Sequence, residues 1–415
     1  MVEDNVMRYG NYEIKVKYGR KKDSCFKPRL VVSFSGVGKE GTIPGSREII
    51  WEFEGTFSDD DETHVVFVRD CSCGWYTDSE EFFQVIEFLE YYMRTNGIKN
   101  ASSLGLSMGG FGALLLSAYM DLDNVVVFSP QTLVGKGPEN SLDRRYDKII
   151  ERASHAVSGD LGPLSFRANN VYVFAGEDDW LDVWHTIRIS GKTNVNAYLV
   201  PKADHNTARY FKGKYNLRGI IRDLISGDCA ASSLVALSSL DKLPESAGFY
   251  HMVSNLKRLN GCLDAAISSA RVAIEKRPDN AFFHYNLYKL LVLNGQEDAA
   301  IDACYAANSY AESDNLGYKH ALVQMLIRRH RFDEAEAVFL DCLQVDQKNA
   351  WTHHYIGLME TERNRPDKAV IAQARACRLS KNEQVFTRAL DEALDRLGPP
   401  ILGANLRMRA REPQA

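Results

Sequence analysis

The stretch LGLSMGGFGALLL, residues 104–116, contains the pentapeptide GLSMG with Ser107 at its centre. The strand-like sequence ASSLGL comes before this serine, and the helix-forming sequence GGFGALLLSAYM comes after it. A strand that turns sharply into a helix at a serine is the arrangement of a nucleophile elbow, and Gly105 and Gly109 leave room for its tight backbone. Ser107 is therefore the candidate nucleophile. The rest of the chain has to supply a base and an acid.

The composition is that of an ordinary globular protein, with 415 residues of which 45% are hydrophobic and 25% charged. A formal net charge of -5 gives no basic field, which argues against general binding of nucleic acid. We find no secretory signal pattern and no apolar run long enough to span a bilayer, so a cytoplasmic location is expected. The eight scattered cysteines predict reduced thiols, and Cys71 with Cys73 offers too few ligands for structural zinc. We expect neither a metal nor a cofactor.

Two kinds of pattern divide the chain. Up to residue 226, short apolar runs alternate with helical stretches, which predicts an α/β doubly wound, mostly parallel sheet covered by helices. The runs are 12–19, 29–36, 63–70, 101–107, 124–130, 170–178 and 195–201. Residues 1–226 are thus one predicted domain. A lid-like insertion at about 131–170 carries the charged, amphipathic sequence DRRYDKIIERA, which we expect to cover a pocket.

The second half has no strand pattern and contains an internal repeat. Four alanines recur at spacings of 34, 35 and 34 residues, each in a similar local sequence; they are Ala266, Ala300, Ala335 and Ala369. A period of 34 with paired helices is the signature of tetratricopeptide (TPR) repeats. We therefore predict a connector at 227–246, an all-α superhelix of four TPR-like repeats at 247–395, and a C-terminal tail at 396–415.

The candidate base and acid follow the last two predicted strands of the first domain. The strand NVYVFAG runs into an acidic turn, and the strand VNAYLVP runs into a loop that contains His205. Serine, acid and histidine then occur in the chain order expected for an elbow-type hydrolase. Asp179, three residues after Gly176, is the favoured acid, while Asp178 and Asp182 stay open as alternatives.

An oxyanion hole needs two backbone N–H donors. One is the amide after the nucleophile, which belongs to Met108, and the other comes from the loop after an earlier strand. The sequence RLVVSFSGVG supplies that loop. Gly36 allows the chain to turn there, and the amide of Val37 is the candidate second donor.

Four short motifs together resemble the α/β-hydrolase fold: FSGVG at the oxyanion loop, GLSMGG at the elbow, AGEDD at the acid turn and ADHN at the histidine loop. The resemblance implies Ser107 as nucleophile, His205 as general base and then acid, and Asp179 as the orienting acid. The stretch VRDCSCGWYTD also resembles a segment of hydrolase-like proteins from bacterial surface-glycan and accessory-secretion clusters. This second resemblance implies a glycan O-acyl ester as substrate. Trp75 and Tyr76, just past the end of a strand, are either pocket residues or packing residues.

The sequence therefore predicts a serine hydrolase, most simply a carboxylesterase or deacylase, joined to a TPR domain for protein partners. The alternatives are an acyltransferase that uses the same triad and a non-catalytic TPR scaffold. One ring occupies the same position in each first repeat helix, 15 residues before the aligned alanine: His251, Tyr285, His320 and His354. These rings are either a groove for a protein or peptide partner whose binding weakens at low pH, or ordinary partly buried aromatic residues. The oligomeric state is open.

Overall fold

The computed structural model describes residues 6–20, 28–37, 51–136, 142–227, 238–239, 246–312, 315–380 and 384–398. The chain divides into two compact units, Met1–Asn255 and Leu256–Ala415. Most of the predicted connector and residues 399–415 of the predicted tail lie outside the described residues. The division falls within the first predicted repeat helix. The start of this helix belongs to the first unit, where the Gly248 amide donates to Glu177 Oε1 over 3.3 Å.

Within the described residues, nine strands of the first unit form one sheet in the order β1-β2-β4-β3-β5-β6-β9-β10-β11. Strands β3, β4, β5, β6, β9 and β10 are parallel, and β1, β2 and β11 add antiparallel edges. The strands are β1 (Val6–Tyr9), β2 (Tyr12–Lys17), β3 (Arg29–Phe34), β4 (Thr63–Asp70), β5 (Asn100–Leu106), β6 (Leu122–Phe128), β9 (Ala168–Gly176), β10 (Val195–Val200) and β11 (Ser238–Ser239).

Helices cover both faces of this sheet. They are α1 (Ser79–Thr95), α2 (Met108–Tyr119), α3 (Asp147–Ile150), α4 (Trp180–Ser190), α5 (Thr207–Lys214) and α6 (Leu217–Ser226), with a 3-10 turn at Glu54–Thr56. Successive side chains of one strand point to opposite faces, so Val32 packs in the core with α1 and α2, while Val31 packs in the core with α5 and α6. Burial on both faces explains the continuous apolar runs of the central strands.

The seven predicted strands correspond, in chain order, to the seven strands of the main sheet between residues 12 and 201. The short edge strands β1 and β11 and the helix α5 carry too little periodicity of their own to be predicted. The insertion holds a small hairpin, β7 (Leu133–Gly135) with β8 (Ser158–Asp160), and the single helical turn α3. Its residues 137–141 lie outside the described part of the chain.

The second half consists of helical pairs. Its helices are α7 (Ala247–Leu259), which crosses the division between the units, α8 (Leu263–Lys276), α9 (Ala281–Leu293), α10 (Glu297–Tyr310), α11 (Leu316–Arg328), α12 (Phe332–Val345), α13 (Ala350–Glu362), α14 (Pro366–Leu379) and α15 (Gln384–Leu397). The aligned alanines are each the fourth residue of α8, α10, α12 and α14, and all four are fully buried. Only a small side chain fits such a close helix contact, so the period of 34 reflects packing.

A recurring asparagine begins the first helix of successive pairs. The side chains of Asn280, Asn315 and Asn349 accept hydrogen bonds from backbone amides at the starts of α9, α11 and α13. These caps satisfy N–H groups that the helix cannot pair internally. The repeated sequence endings RPDN, ESDN and DQKN are therefore helix start signals.

The four predicted groove rings do not form an open row. His251 and His354 are buried, and His354 Nδ1 lies 3.0 Å from Gln373 Oε1. His320 Nε2 lies 2.9 Å from Thr352 Oγ1, and burial lowers the pKa of His320. Tyr285 packs against Tyr318 with ring centroids 4.8 Å apart. The structure thus favours the reading of these residues as partly buried packing groups over that of a pH-sensitive groove.

The six described cysteines are free thiols, while Cys25 and Cys229 lie outside the described residues. Among the described helices, none has the length and apolar character needed to cross a membrane.

Candidate active site

Ser107 lies at the turn between β5 and α2, with φ 55° and ψ -119°. Non-glycine residues rarely adopt this conformation, and it persists only where the surroundings enforce it. A Cβ atom on Gly105 would lie 2.1 Å from the carbonyl oxygen of Gly109, and one on Gly109 would lie 2.1 Å from the carbonyl oxygen of Phe34. Any larger residue at either position would collide with backbone. The glycines therefore allow the strained turn that presents Ser107 at the carboxyl end of β5.

The loop after β10 brings His205 to Ser107, with 2.9 Å between Nε2 and the serine Oγ. On the other side of the ring, Nδ1 lies 2.8 Å from Oδ1 of Asp182. Because an ionised carboxylate can only accept, Nδ1 carries the proton and Nε2 presents its lone pair to the serine hydroxyl. The three side chains follow the parallel strands β5, β9 and β10, and they make the hydrogen-bonded series of a Ser-His-Asp triad.

Asp182, one of the two alternatives, takes the position expected for Asp179. Asp179 is the N-cap of α4, and its Oδ1 accepts from the amides of Leu181 and Asp182 over 3.0 and 3.2 Å. A capping carboxylate points at the helix backbone, whereas Asp182 lies within the first turn and faces the imidazole. Asp178 contributes its amide, which donates to the carbonyl of Ala203 over 3.0 Å.

The charges of the triad depend on these contacts. Burial alone would lower the pKa of His205, but the Asp182 carboxylate more than offsets it, and the pKa is raised above 6.5. Burial alone would raise the pKa of Asp182, yet His205 and Arg145 hold it below its usual range. Burial and the neighbouring Asp182 raise the pKa of Asp179 to about 6. Of the two carboxylates, Asp182 therefore keeps its charge to the lower pH.

Arg145, from the insertion, neutralises the acids around the triad. Its guanidinium donates to Asp179, to Asp182 Oδ1 over 3.2 Å and to Asp143 Oδ2 over 2.7 Å. Burial alone would raise the pKa of Asp143, but the hydrogen bonds from His185 and Arg145 hold it below its usual range. Arg145 therefore links the insertion directly to the acid of the triad.

A second buried histidine fixes Asp143. His185 Nδ1 accepts from the amide of Thr132 over 3.1 Å, so its Nε2 carries the proton and donates to Asp143 Oδ2 over 3.2 Å. Burial lowers the pKa of His185, which keeps the ring neutral. The neutral imidazole of His185 thus positions Asp143 by a hydrogen bond, and Asp143 in turn holds Arg145 by an ion pair.

The same side chains include three potential metal ligands. Within the described residues, Asp179, Asp182 and His205 are one group whose ligand atoms all lie within 4.8 Å of one another. A metal ion there would have to displace Arg145 from both carboxylates and take His205 from Asp182. The donor set therefore fits a triad better than a metal centre.

The predicted oxyanion loop is fixed by hydrogen bonds with two side chains, those of Glu52 and Tyr76. The Gly36 amide donates to Glu52 Oε2 over 3.1 Å, and the Tyr76 hydroxyl donates to the Ser35 carbonyl over 2.7 Å. Burial raises the pKa of Glu52 to about 7, against the effect of the Gly36 amide. The Gly36 amide is thus already bonded, and Val37 is the next residue along the loop. The contact of Gly109 with Phe34 places this loop directly beside the elbow.

The aromatic loop after β4 is organised by one buried carboxylate. Asp70 accepts from the amides of Ser72, Gly74 and Tyr76 over 2.9 to 3.0 Å. Non-glycine residues of this loop adopt the left-handed region, Trp75 at φ 56° and Tyr76 at φ 57° among them. Such strain requires strong local bonding, and here it buries both rings.

The two predicted pocket residues have different surroundings. Tyr76 packs against Phe34 in the core, with ring centroids 5.1 Å apart, and supports the oxyanion loop instead of lining a pocket. The indole N–H of Trp75 donates to Gln131 Oε1 over 3.2 Å, and Gln131 Nε2 donates to Ser107 Oγ over 3.1 Å. Trp75 therefore fixes an amide that touches the nucleophile.

Tyr146, next to Arg145, reaches the base. Its hydroxyl lies 2.9 Å from His205 Nε2, the nitrogen that also faces Ser107. Its ring packs edge-on against Trp75, with centroids 5.3 Å apart, and the Arg145 guanidinium lies 5.7 Å from the ring centre. The sequence indicated a charged segment over the pocket, but nothing in it singled out Gln131, Arg145 or Tyr146.

No protein-family model matches the chain, and no curated protein matches its sequence. Solved structures give distant likenesses. The capsule O-acetyltransferase of Neisseria meningitidis serogroup A is 15% identical, covering 53% of this chain and 94% of its own, with a TM-score of 0.38. MamA from Desulfovibrio magneticus is 14% identical, covering 40% of this chain and 92% of its own, with a TM-score of 0.34.

YrrB, described as a TPR protein with an unusual peptide-binding site, is 16% identical, covering 41% of this chain and 95% of its own, with a TM-score of 0.30. The chain thus consists of a mixed, mostly parallel sheet with covering helices, followed by a half whose described elements are helices.

Proposed function

We propose that the first unit is a serine hydrolase of the α/β-hydrolase type, which cleaves esters through an acyl-enzyme at Ser107. The observation that carries the proposal is the position of His205, whose ring nitrogens lie 2.9 Å from Ser107 Oγ and 2.8 Å from Asp182 Oδ1. The strained elbow between two obligatory glycines and the chain order of serine, acid and histidine support it.

Acylation begins when Ser107 Oγ attacks the carbonyl carbon of the ester. The hydroxyl proton passes to His205 Nε2, and Asp182 stabilises the imidazolium that forms. The carbon–oxygen bond to the leaving alcohol then breaks, and the alcohol oxygen takes the proton from the same nitrogen. Gln131 holds the serine oxygen through its side-chain N–H.

The developing oxyanion requires two N–H donors, and we assign the amides of Met108 and Val37. Met108 is the first residue of α2, and Val37 follows the residue whose own amide is bonded to Glu52. Loss of one such donor raises the barrier by roughly 3 to 4 kcal/mol.

Deacylation repeats these steps with an incoming oxygen. Water gives hydrolysis and an alcohol gives acyl transfer, so an acyltransferase is the same enzyme up to the acyl-enzyme. Product analysis in the presence of an added alcohol separates the two activities. The second unit is proposed to bind a protein or peptide partner, as TPR arrays do, and a glycan O-acyl ester is one substrate of the proposed class.

A serine-directed phosphonate probe tests the proposal. Wild type and the control Ser58→Ala, whose serine is exposed, should be labelled, whereas Ser107→Ala should not. Ser107→Ala should also lose several orders of magnitude in turnover of a simple aryl ester. Equal labelling or equal turnover of wild type and Ser107→Ala would contradict the proposal and favour the alternative of a non-catalytic TPR scaffold.

A further inference from the structure

We propose that Tyr146 occupies, in the resting enzyme, the subsite for the alcohol part of the substrate, and that this subsite takes an aromatic alcohol. The inference rests on the proposed function, since it concerns the same triad. Its starting point is that two hydroxyl oxygens, those of Ser107 and Tyr146, each lie 2.9 Å from His205 Nε2.

Only one lone pair is available on that nitrogen. Because Nδ1–H donates to Asp182, Nε2 is an acceptor, and the hydroxyls of Ser107 and Tyr146 compete for it. The phenol is the stronger acid of the two and hence the better donor. In this arrangement Tyr146 withholds the base from the nucleophile, so Tyr146 has to move before Ser107 is activated.

The position of the phenol oxygen has a chemical meaning. His205 Nε2 must protonate the leaving alcohol oxygen in acylation and take the proton of the incoming oxygen in deacylation. That oxygen therefore has to lie within hydrogen-bonding distance of Nε2 and next to Ser107. The Tyr146 hydroxyl meets the first condition at 2.9 Å, and Ser107 is among the groups that interact with it.

The walls around the ring indicate which alcohol fits. The rings of Trp75 and Tyr146 form a T-shaped pair, and the Arg145 guanidinium lies within cation–π distance of the Tyr146 ring. Trp75 is completely buried and fixed by its bond to Gln131, and Arg145 is fixed by three carboxylates. These walls match a flat π-system that carries one hydroxyl.

Tyr146 can leave without unfolding the site. It is partly exposed and precedes a helix of only four residues, whereas Trp75 and Gln131 lie in the core. Rotation of its side chain would vacate a volume the size and shape of a phenol. An arriving aryl ester would place its alcohol oxygen where the Tyr146 hydroxyl was.

The test uses the full chain as wild type, Tyr146→Ala and the control Tyr91→Ala, which removes a tyrosine that is 59% exposed on α1. The kcat/KM ratio for phenyl acetate over methyl acetate is measured for each protein. Tyr146→Ala should raise this ratio by roughly tenfold or more over wild type, which is the range for one pocket contact. Tyr91→Ala should leave it unchanged.

A second measurement uses p-cresol, which is the tyrosine side chain as a free molecule. With p-nitrophenyl acetate as acyl donor, p-cresol should enter the gap of Tyr146→Ala. Its hydroxyl proton passes to His205 Nε2, and its oxygen bonds to the acyl carbon. The bond from that carbon to Ser107 Oγ then breaks, and Oγ takes the proton back from His205. The expected product is p-cresyl acetate, which Tyr146→Ala should form faster than wild type. In a separate measurement, p-cresol should raise the melting temperature of Tyr146→Ala and leave that of wild type unchanged.

The variant Tyr146→Phe keeps the ring and removes the hydroxyl. It should leave the ester ratio unchanged while raising turnover of methyl acetate, because Ser107 no longer competes for Nε2. The inference is overturned if Tyr146→Ala shows neither a raised ratio nor p-cresyl acetate, or if Tyr146→Phe lowers turnover of both esters. If wild type itself shows no Ser107-dependent labelling or turnover, the proposed function fails first and this inference with it.

Discussion

At the scale of single residues, the positions with the strictest steric requirement are the two glycines around Ser107. A Cβ atom added at either position would lie 2.1 Å from a carbonyl oxygen, so only glycine fits there. This requirement appears in the sequence as the two glycines of GLSMG. This explains why Ser107 could be singled out from the sequence. His205 could be found because it lies in the loop after the last strand of the parallel series.

The choice among Asp178, Asp179 and Asp182 could not be made from the sequence. It depends on the residue at which α4 begins, and helix starts are uncertain by one or two residues. With the start at Trp180, Asp179 becomes the cap and Asp182 turns towards the imidazole. A shift of one residue would have turned a different carboxylate.

Asp182→Asn should lower kcat by roughly 10³- to 10⁴-fold, because an amide holds the imidazole less well in the required tautomer. Asp179→Asn is the matched control, since asparagine also caps helices and does not touch His205; it should lose less than about tenfold. Steady-state kinetics on an aryl ester measures both. A larger loss in Asp179→Asn than in Asp182→Asn would reverse the assignment.

The same two variants should also differ in the pH dependence of kcat/KM. His205 acts as a base only when it is neutral, so kcat/KM of wild type should fall as pH drops through a pKa above 6.5. Asp182 is the main group that raises this pKa, through its charge and its hydrogen bond, and the charge of Asp179 adds a smaller contribution. The acid limb of the profile should therefore move to lower pH in Asp182→Asn and move by less in Asp179→Asn.

At the scale of elements, the parts that could be predicted are those whose own pattern decides their structure. The central strands are apolar on both faces, and the second helix of each pair carries an alanine at a fixed position. The edge strands β1 and β11 exist through pairing with β2 and β10, which no local pattern reports. The amphipathic pattern of the insertion does not say which of its side chains reach the triad, so the contacts of Arg145 and Tyr146 could not be predicted from the sequence.

The aligned alanines give a test of the repeat packing. Ala335 is fully buried in α12, while Ala337 in the same helix is exposed. Ala335→Leu should cost about 1 to 3 kcal/mol of unfolding free energy through overpacking, and Ala337→Leu should cost close to nothing. Urea unfolding followed by far-ultraviolet circular dichroism measures the difference. Equal stabilities of the two variants would argue against close packing at Ala335.

At the scale of the whole molecule, the chain consists of two compact units, and every residue of the candidate site belongs to the first. The second unit consists of helices alone within its described residues. The chemistry and the helical array are thus built by different stretches of sequence, with different periodicities and separate cores.

This division predicts two separable losses on heating. In Ala335→Leu the helical signal should melt roughly 3 to 10 °C lower than in wild type. The temperature at which ester turnover is lost should keep its wild-type value, because the destabilised core is not the one that holds the triad. If both midpoints fall together, the units unfold as one cooperative body.

The buried alanine at the fourth residue of α8, α10, α12 and α14 has an evolutionary consequence. Because successive helical pairs meet through equivalent residues, a duplicated pair inherits a ready-made interface on both of its sides. Gene duplication or deletion in steps of one pair can then lengthen or shorten the array while the first unit, with Ser107 and His205, keeps its sequence. Proteins that share ancestry with this chain should therefore differ in repeat number more readily than in the loops that carry Ser107 and His205.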